Sequence, residues 1–388
     1  MNKVLIVLGS LVIATSAHAI PYSYVTIAAP GNFPGGVIQG TVNNSGEVAF
    51  AGFGPFQPGQ GSVGTVYKGS GGALTTIAST AASQFTSFNN PFINDLGDVA
   101  FRGLAGFTAP NGVYRGNGGA LTTIYTASNN VDAHAINDSG TVVFVDSAKG
   151  IMTGNGGTPT IKVPLGGSFT LLGPADINNA GTIAFAALTT GGTAIYTDNS
   201  GIPTRIAVSG GRVSFTDDPR INQSGDLAWI SSLVSLHQEI QTNIGGTTST
   251  FVDTTGPYQQ FGFSHAFDIN ILNEIVFAAI LDSGVDPSGG VGIFTGPNPD
   301  MDSVIRNGDL LAGKTVQEAA LGGINDCGQI SFRAQFSDFT AGIFRADPSG
   351  RACNSVPEPN SLMLLSLGSL VLLGLIGRTK LKQGRRMR

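Results

Sequence analysis

A nine-residue pattern, seen most fully in Ile93-Asn94-Asp95-Leu96-Gly97-Asp98-Val99-Ala100-Phe101, occurs seven times along this 388-residue chain and constrains its fold more than any other feature. The copies occupy 42–50, 93–101, 136–144, 177–185, 221–229, 269–277 and 324–332, with asparagines at Asn43, Asn94, Asn137, Asn178, Asn222, Asn270 and Asn325. Successive asparagines lie 51, 43, 41, 44, 48 and 55 residues apart, a mean of 47. A period of roughly 40–50 residues matches one four-stranded propeller blade and is about twice a leucine-rich or β-helix coil. The Gly and β-branched content of the motif argues against helical repeats of similar length.

The motif reads as a β-hairpin. Its Asn can fold the side chain onto the backbone two residues on, and Gly46, Gly97, Gly140, Gly181, Gly225 and Gly328 at the fourth position can take the positive φ that a following bulge requires. The sixth copy carries Asn273 there, the non-glycine residue that best tolerates left-handed φ, which favours a backbone role for this position. The strand that follows is apolar at consecutive positions, as in Val48-Ala49-Phe50 and Ile183-Ala184-Phe185, so it is covered on both faces. A blade between two other blades meets that condition. The mostly small middle residue lets one neighbour approach, and the large flanking pair fills the other gap.

A second pattern follows each motif, clearest in the segment 112–124, and adds two strands around a glycine turn. With the strand before each Asn and the strand after it, every unit supplies four strands, and the seven units predict an all-β, seven-bladed β-propeller over residues 20–354. The seventh unit has a third strand, Gly342-Ile343-Phe344-Arg345, but no fourth. Tyr24-Val25-Thr26-Ile27-Ala28 resembles the fourth strands Leu74-Thr75-Thr76-Ile77-Ala78 and Leu121-Thr122-Thr123-Ile124-Tyr125. The N-terminal strand is therefore expected to complete the last blade.

The two ends carry targeting signals. Residues 1–19 combine a charged start, an apolar run from Val4 to Ala14 and the small-residue site Ala17-His18-Ala19, the pattern of a cleaved secretory signal peptide. At the other end, Val356-Pro357-Glu358-Pro359 precedes an apolar run over 361–377 and a basic tail of Arg378, Lys380, Lys382, Arg385, Arg386 and Arg388. Seventeen residues at about 1.5 Å each give a transmembrane helix slightly short of the hydrocarbon core, with the basic tail cytoplasmic and the body outside.

This C-terminal order resembles the PEP-CTERM sorting signal of Gram-negative exosortase substrates, over residues 355–388. The body separately resembles the tandem NxxGxxAF-repeat proteins that occur with such signals. The resemblance implies a membrane-anchored precursor exported across the inner membrane, cut by signal peptidase and by an exosortase-type enzyme near the Pro-Glu-Pro element. It further implies a mature protein at the cell surface or outside, associated with exopolysaccharide or biofilm. It transfers no catalytic residue.

Composition narrows the partners. Setting aside Lys3, Glu358 and the six basic residues after Gly377 leaves 13 basic and 24 acidic side chains, a net charge near −11, which disfavours nucleic acid and anionic membrane. The two cysteines, Cys327 and Cys353, lie in an exported body and are expected to form a disulfide across the end of the last blade.

Candidate chemistry is sparse. His134, His237 and His265 lie in different repeats outside any zinc spacing, and no GxSxG elbow is present. Asn298, Asp300 and Asp302 place oxygens at alternate positions as calcium loops do, with Asp309 beyond them, but Ser303 stands where the loop needs Gly and Arg306 opposes a cation. Asp217-Asp218 and the pair Asp282 and Asp286 read as loop surface. The leading expectation is a non-enzymatic surface or matrix protein whose propeller is a binding platform for exopolysaccharide or a surface protein, with no cofactor. The alternatives are a carbohydrate-active propeller enzyme, glycosidase or lyase, with acids at the central channel, and a purely architectural spacer.

Overall fold

The computed structural model describes residues 21–351 except 59–61, 83–84, 90, 106–110, 211–212, 263–265 and 287–288. The expected signal peptide and the segment 355–388, with its helix over 361–377, lie outside the described residues. Among those described there is no α-helix, only a 3-10 turn at Thr80–Ala82, and no helix long and apolar enough to cross a membrane.

The strands form seven antiparallel sheets in chain order, the blades of a seven-bladed propeller. Blade 1 is representative: Val37–Val42 is innermost, followed outward by Val48–Phe53, Gly64–Gly69 and Thr75–Ser79. Each inner strand ends at a motif Asn. The inner strand is split in blade 2, where Phe85–Phe88 and Phe92–Ile93 flank Pro91, a residue with no N–H to give to a ladder. It is split again in blade 6, between Tyr258–Phe261 and Phe267–Ile269.

The hydrophobic core is divided into seven clusters, and each sits between two blades. Ala49, Ala51 and Val66 of blade 1 pack against Phe88, Phe101 and Tyr114 of blade 2. Ala184 and Ile195 of blade 4 receive Trp229 of blade 5, and Val276 and Ile293 of blade 6 receive Phe332 and Phe344 of blade 7. The middle motif residues Ala49, Ala100, Val143, Ala184, Ala228, Val276 and Ser331 are all fully buried. Each blade thus offers a flat face of small side chains to the next and an aromatic face to the one before. A blade removed from the ring would expose both faces.

The ring is closed by its ends. Tyr22–Ala28 is the outermost strand of blade 7, antiparallel to Ala341–Pro348, with Val25 opposite Arg345 and Ala28 opposite Ile343. Ile27 and Ala28 are buried with Ile343 against Val48 and Phe50 of blade 1. The Tyr24 hydroxyl donates to the Val304 carbonyl of blade 6, and Ser349 N donates to Pro21 O at 2.8 Å. One strand therefore touches blades 6, 7 and 1.

Deleting residues 20–29 should destabilise the whole ring by more than the about 2–5 kcal/mol expected for truncating one buried Ile side chain, as in Ile27→Ala. Thermal melts of the two variants side by side check this; equal midpoints for the deletion and the intact body would remove the closure role.

Candidate functional site

The inner strands converge on a central channel whose walls are built by the motif. In every copy the Asn side chain does two jobs. Its Oδ1 accepts backbone N–H groups of its own turn, as Asn43 does from Ser45 and Glu47 at 3.1 and 2.9 Å. Its Nδ2 crosses to the next blade and donates to the backbone carbonyl of that blade's motif Asn, at 2.8–3.2 Å. Asn325 donates to Asn43, so seven bonds close a circle. These asparagines are 2–4 % exposed. Turn shape and ring closure thus share one side chain.

Two further layers use the same logic. In six of the seven blades the residue after the motif Asn presents a side-chain acceptor to the backbone N–H of the equivalent residue one blade earlier. Asn44 N reaches Asp95, Asp95 N reaches Asp138, Asp138 N reaches Asn179 and Asn179 N reaches Gln223, at 2.7–2.9 Å. Ile271 N then reaches Asp326, and Asp326 N reaches Asn44. Ile271 itself carries no acceptor, so one step of this layer is absent among the described residues. Asp95, Asp138 and Asp326 line a cavity of about 140 Å³ at the turn end of the channel. Burial raises the Asp95 carboxyl, opposed by the Asn44 hydrogen bonds and reinforced by the Asp138 and Asp326 charges.

Deeper in the channel, the residue two before the motif Asn plays the same part in three blades. Thr41 Oγ1 accepts from Ile93 N at 2.9 Å, and Asp176 and Asp268 accept from Ile221 N and Ile324 N at 3.0 Å each. Each Asp also accepts from the N–H of its own following residue. Arg220 lies on the blade between these two acids, pairs with Asp218 at 3.2 Å and stands 5.9 Å from the Phe267 ring centroid. His134 faces the same cavity of about 160 Å³. Burial lowers the His134 imidazole and raises both carboxyls, Asp268 to about 6, with Arg220 opposing the rise in each acid.

Backbone bulges shape the inner strands of blades 3 and 5. The inner-strand register shifts between Ala133 and Ala135, which leaves His134 as the extra residue, and between Asp217 and Arg220, around Asp218-Pro219. A bulge breaks strict alternation and re-aims a side chain. Asp176, Arg220 and Asp268 hold regular ladder positions opposite Ala184, Ala228 and Val276 and were missed because each is a single charge in its own repeat; the available signal was a charged residue two before the Asn in three adjacent repeats.

The other sequence candidates are dispersed. His237 Nδ1 lies 3.0 Å from Thr254 O at the opposite face, and His265 lies outside the described residues. In the loop read for calcium, Asp302 Oδ2 accepts from Asn298 N at 2.8 Å and Asp300 sits 3.4 Å from Arg306, while Asp309 accepts from Arg306 N. Among the described residues no group of three or more His, Cys, Asp or Glu is placed to hold a metal ion. The Asp217 side chain is not described, and Asp282 accepts from Gly284 N in its own loop. The fourth-position glycines have φ of 73–86°, and Asn273 has φ 61°. The Asn273 Oδ1 also accepts from Asn222 Nδ2 at 2.7 Å, a bond that glycine could not make. Cys327 is buried in the last motif turn and disulfide-bonded; Cys353 lies outside the described residues.

Residues 355–380 match the model of the PEP-CTERM protein-sorting motif. That motif implies export, a membrane-anchored precursor in a Gram-negative bacterium and processing by an exosortase. No curated protein matches the chain. Among solved structures it is similar to the β-propeller domain of the trilobed protease from Pyrococcus furiosus, at 10% identity and TM-score 0.51, covering 87% of this chain and 99% of that one. It is also similar to an oligogalacturonate lyase in complex with manganese, at 11% identity and TM-score 0.50, covering 86% and 97%. These likenesses show the fold alone.

The Asp268 carboxyl binds its proton more tightly when folded, near 6, than in the unfolded chain, near about 3.9. Its contribution therefore stabilises the ring as pH falls from about 7 towards about 5, by roughly 1–1.5 kcal/mol over that range. Asp268→Asn should flatten that rise in urea melts at pH 7, 6 and 5; an unchanged slope would show that this group does not couple to folding.

Proposed function

We propose that this chain is an exported, non-enzymatic surface or matrix protein whose propeller is a binding platform for exopolysaccharide or a surface partner. The observation that carries the reading lies on the face away from the Asn ring. Leu236 and Phe339 sit at the tips of the hairpins joining second and third strands, 93% and 81% exposed, with φ of 69° and 64°. Gly or Asn would occupy that backbone without strain, whereas a bulky residue there costs on the order of 1–3 kcal/mol. Phe56, on the equivalent connection of blade 1, is 71% exposed. Large apolar side chains kept in water on strained tips fit a contact surface.

The channel gives weaker support to chemistry. Its carboxylates accept backbone N–H groups of neighbouring blades, and its cavities are below the roughly 300 Å³ at which small-molecule pockets begin. The convergence of Asp176, Arg220, Asp268 and His134 is the one observation that favours a carbohydrate-active enzyme instead. The sorting motif completes the first reading: cleavage near Val356, Pro357, Glu358 and Pro359 releases the body from its helix and basic tail, and a Cys327–Cys353 bridge ties the start of that segment to the last blade.

Leu236→Asn with Phe339→Asn should leave the melting temperature unchanged or raise it, and should reduce glycan-array binding by tenfold or more, about 1.4 kcal/mol. Undiminished binding would remove this face from recognition. Glycan turnover that Asp176→Asn and Asp268→Asn abolish, without a change in fold by circular dichroism, would establish the enzyme reading in its place. Intact mass of extracellular protein should end near the Pro-Glu-Pro element, with no free thiol before reduction; recovery of chain through Arg388 outside the cell, or of two thiols, would contradict processing or the bridge respectively.

A further inference from the structure

Three inter-blade seams share a device: a basic side chain on the third strand of one blade reaches the motif glycine carbonyl of the next. Arg115 reaches Gly140 O at 2.7 Å, Arg345 reaches Gly46 O, and Lys68 reaches Gly97 O at 3.0 Å. Two of these are guanidinium groups, which are always charged and do not act as nucleophiles. The third is an amine, and its surroundings differ from those of the arginines.

Lys68 is 8% exposed, and its Nζ lies 2.7 Å from Asn117 Oδ1 and 3.4 Å from Glu47 Oε2. The nitrogen of the same carboxamide donates to Asp98 Oδ1 at 3.1 Å and to Leu96 O at 3.2 Å. An amine, a carboxamide and two carboxylates thus meet at one point, with one acid against the amine and the other against the amide nitrogen. The carbon to be attacked is one bond from the oxygen that Nζ already touches. Gly97 keeps the space open: a Cβ there would fall 2.5 Å from Nζ and 2.9 Å from Glu47 Oε2.

We propose that Lys68 and Asn117 are the partners of an intramolecular isopeptide bond that joins blade 1 to blade 2. Glu47 takes a proton from the Lys68 ammonium, and the freed Nζ lone pair forms a bond to Asn117 Cγ. The second Nζ proton moves to Nδ2, which Asp98 holds in place, the Cγ–Nδ2 bond breaks to release ammonia, and that ammonia takes the proton held on Glu47 and leaves as ammonium. The sum is one ammonium and one amide made from one ammonium and one amide, with no oxidant, cofactor or second substrate. Holding both groups in one geometry supplies the rate acceleration that such a reaction needs. The product fixes the third strand of blade 1, Gly64–Gly69, to the turn after Asn111–Gly116 of blade 2.

The test is mass spectrometry of the exported, processed protein after reduction and denaturation. The expected intact mass is one ammonia below that of the sequence between its mapped ends. Trypsin should fail to cut after Lys68 and should yield a branched peptide joined to the segment that contains Asn117. Glu47→Gln keeps both reacting groups and should run at the full mass while folded by circular dichroism. An intact wild-type mass with no ammonia lost, and ordinary cleavage after Lys68, would overturn the proposal whatever the variants do. A Glu47→Gln protein as fully joined as the wild type would overturn the role given to Glu47.

Discussion

The structure depends on a single type of hydrogen bond, the Asn side chain of one blade on the backbone carbonyl of the next. A propeller blade has no reason of its own to stop at a particular neighbour angle, because its core is a slab of apolar contact that slides. A buried amide that must meet a carbonyl within hydrogen-bonding distance does not slide, since losing the partner leaves a polar group without water or protein, at a cost of about 1–3 kcal/mol. The Asn ring is buried and closes on itself, so the error tolerated at each seam is set by the other six. The apolar seams supply attraction and the polar ring supplies registry.

This division explains which parts of the fold were legible in the sequence. Period, strand count and the covered nature of the strand Val48-Ala49-Phe50 are local or nearly local properties, and they are encoded seven times over. The turn was legible too, because Gly and Asn are the residues that left-handed φ admits. The seam role of Asn was not, since the same side chain satisfies a local turn rule and nothing local shows that its second group reaches 41–55 residues ahead. The closing strand could be found only because Tyr24–Ala28 resembles outer strands elsewhere and blade 7 lacks one.

The channel was the least legible region, for a physical reason. Alternation tells which face a strand residue takes only while the ladder is regular, and inner strands here are bulged at His134 and around Asp218-Pro219. His134 and Asp218 are displaced in this way, whereas Asp176, Arg220 and Asp268 keep regular ladder partners. Asp176, Arg220 and Asp268 also look unremarkable singly, one per repeat, and become a cluster only when the ring is closed. At blade 6 Asn273 meets no such side chain: blade 5 has Thr242 where blades 1, 2 and 7 place Lys68, Arg115 and Arg345 against the motif glycine. At the seams before blades 1, 2 and 3 the neighbour's third strand thus adds a steric demand for glycine to the one that positive φ makes at every motif.

The pairing of Tyr22 with Pro348 has a temporal side. A ribosome makes the first strand of this domain before any other and makes its partner last. Until then Tyr22–Ala28 has no ladder to join, and blades 1 to 6 stand as an open arc with an aromatic face bare at one end and a small-residue face bare at the other. Such long-range pairing is slow because loop entropy must be met before the contact forms. The chain therefore carries an exposed, sticky strand through the whole of its synthesis, and the alternation of exposed Tyr24 and Thr26 with apolar Val25 and Ile27 keeps that waiting strand half polar.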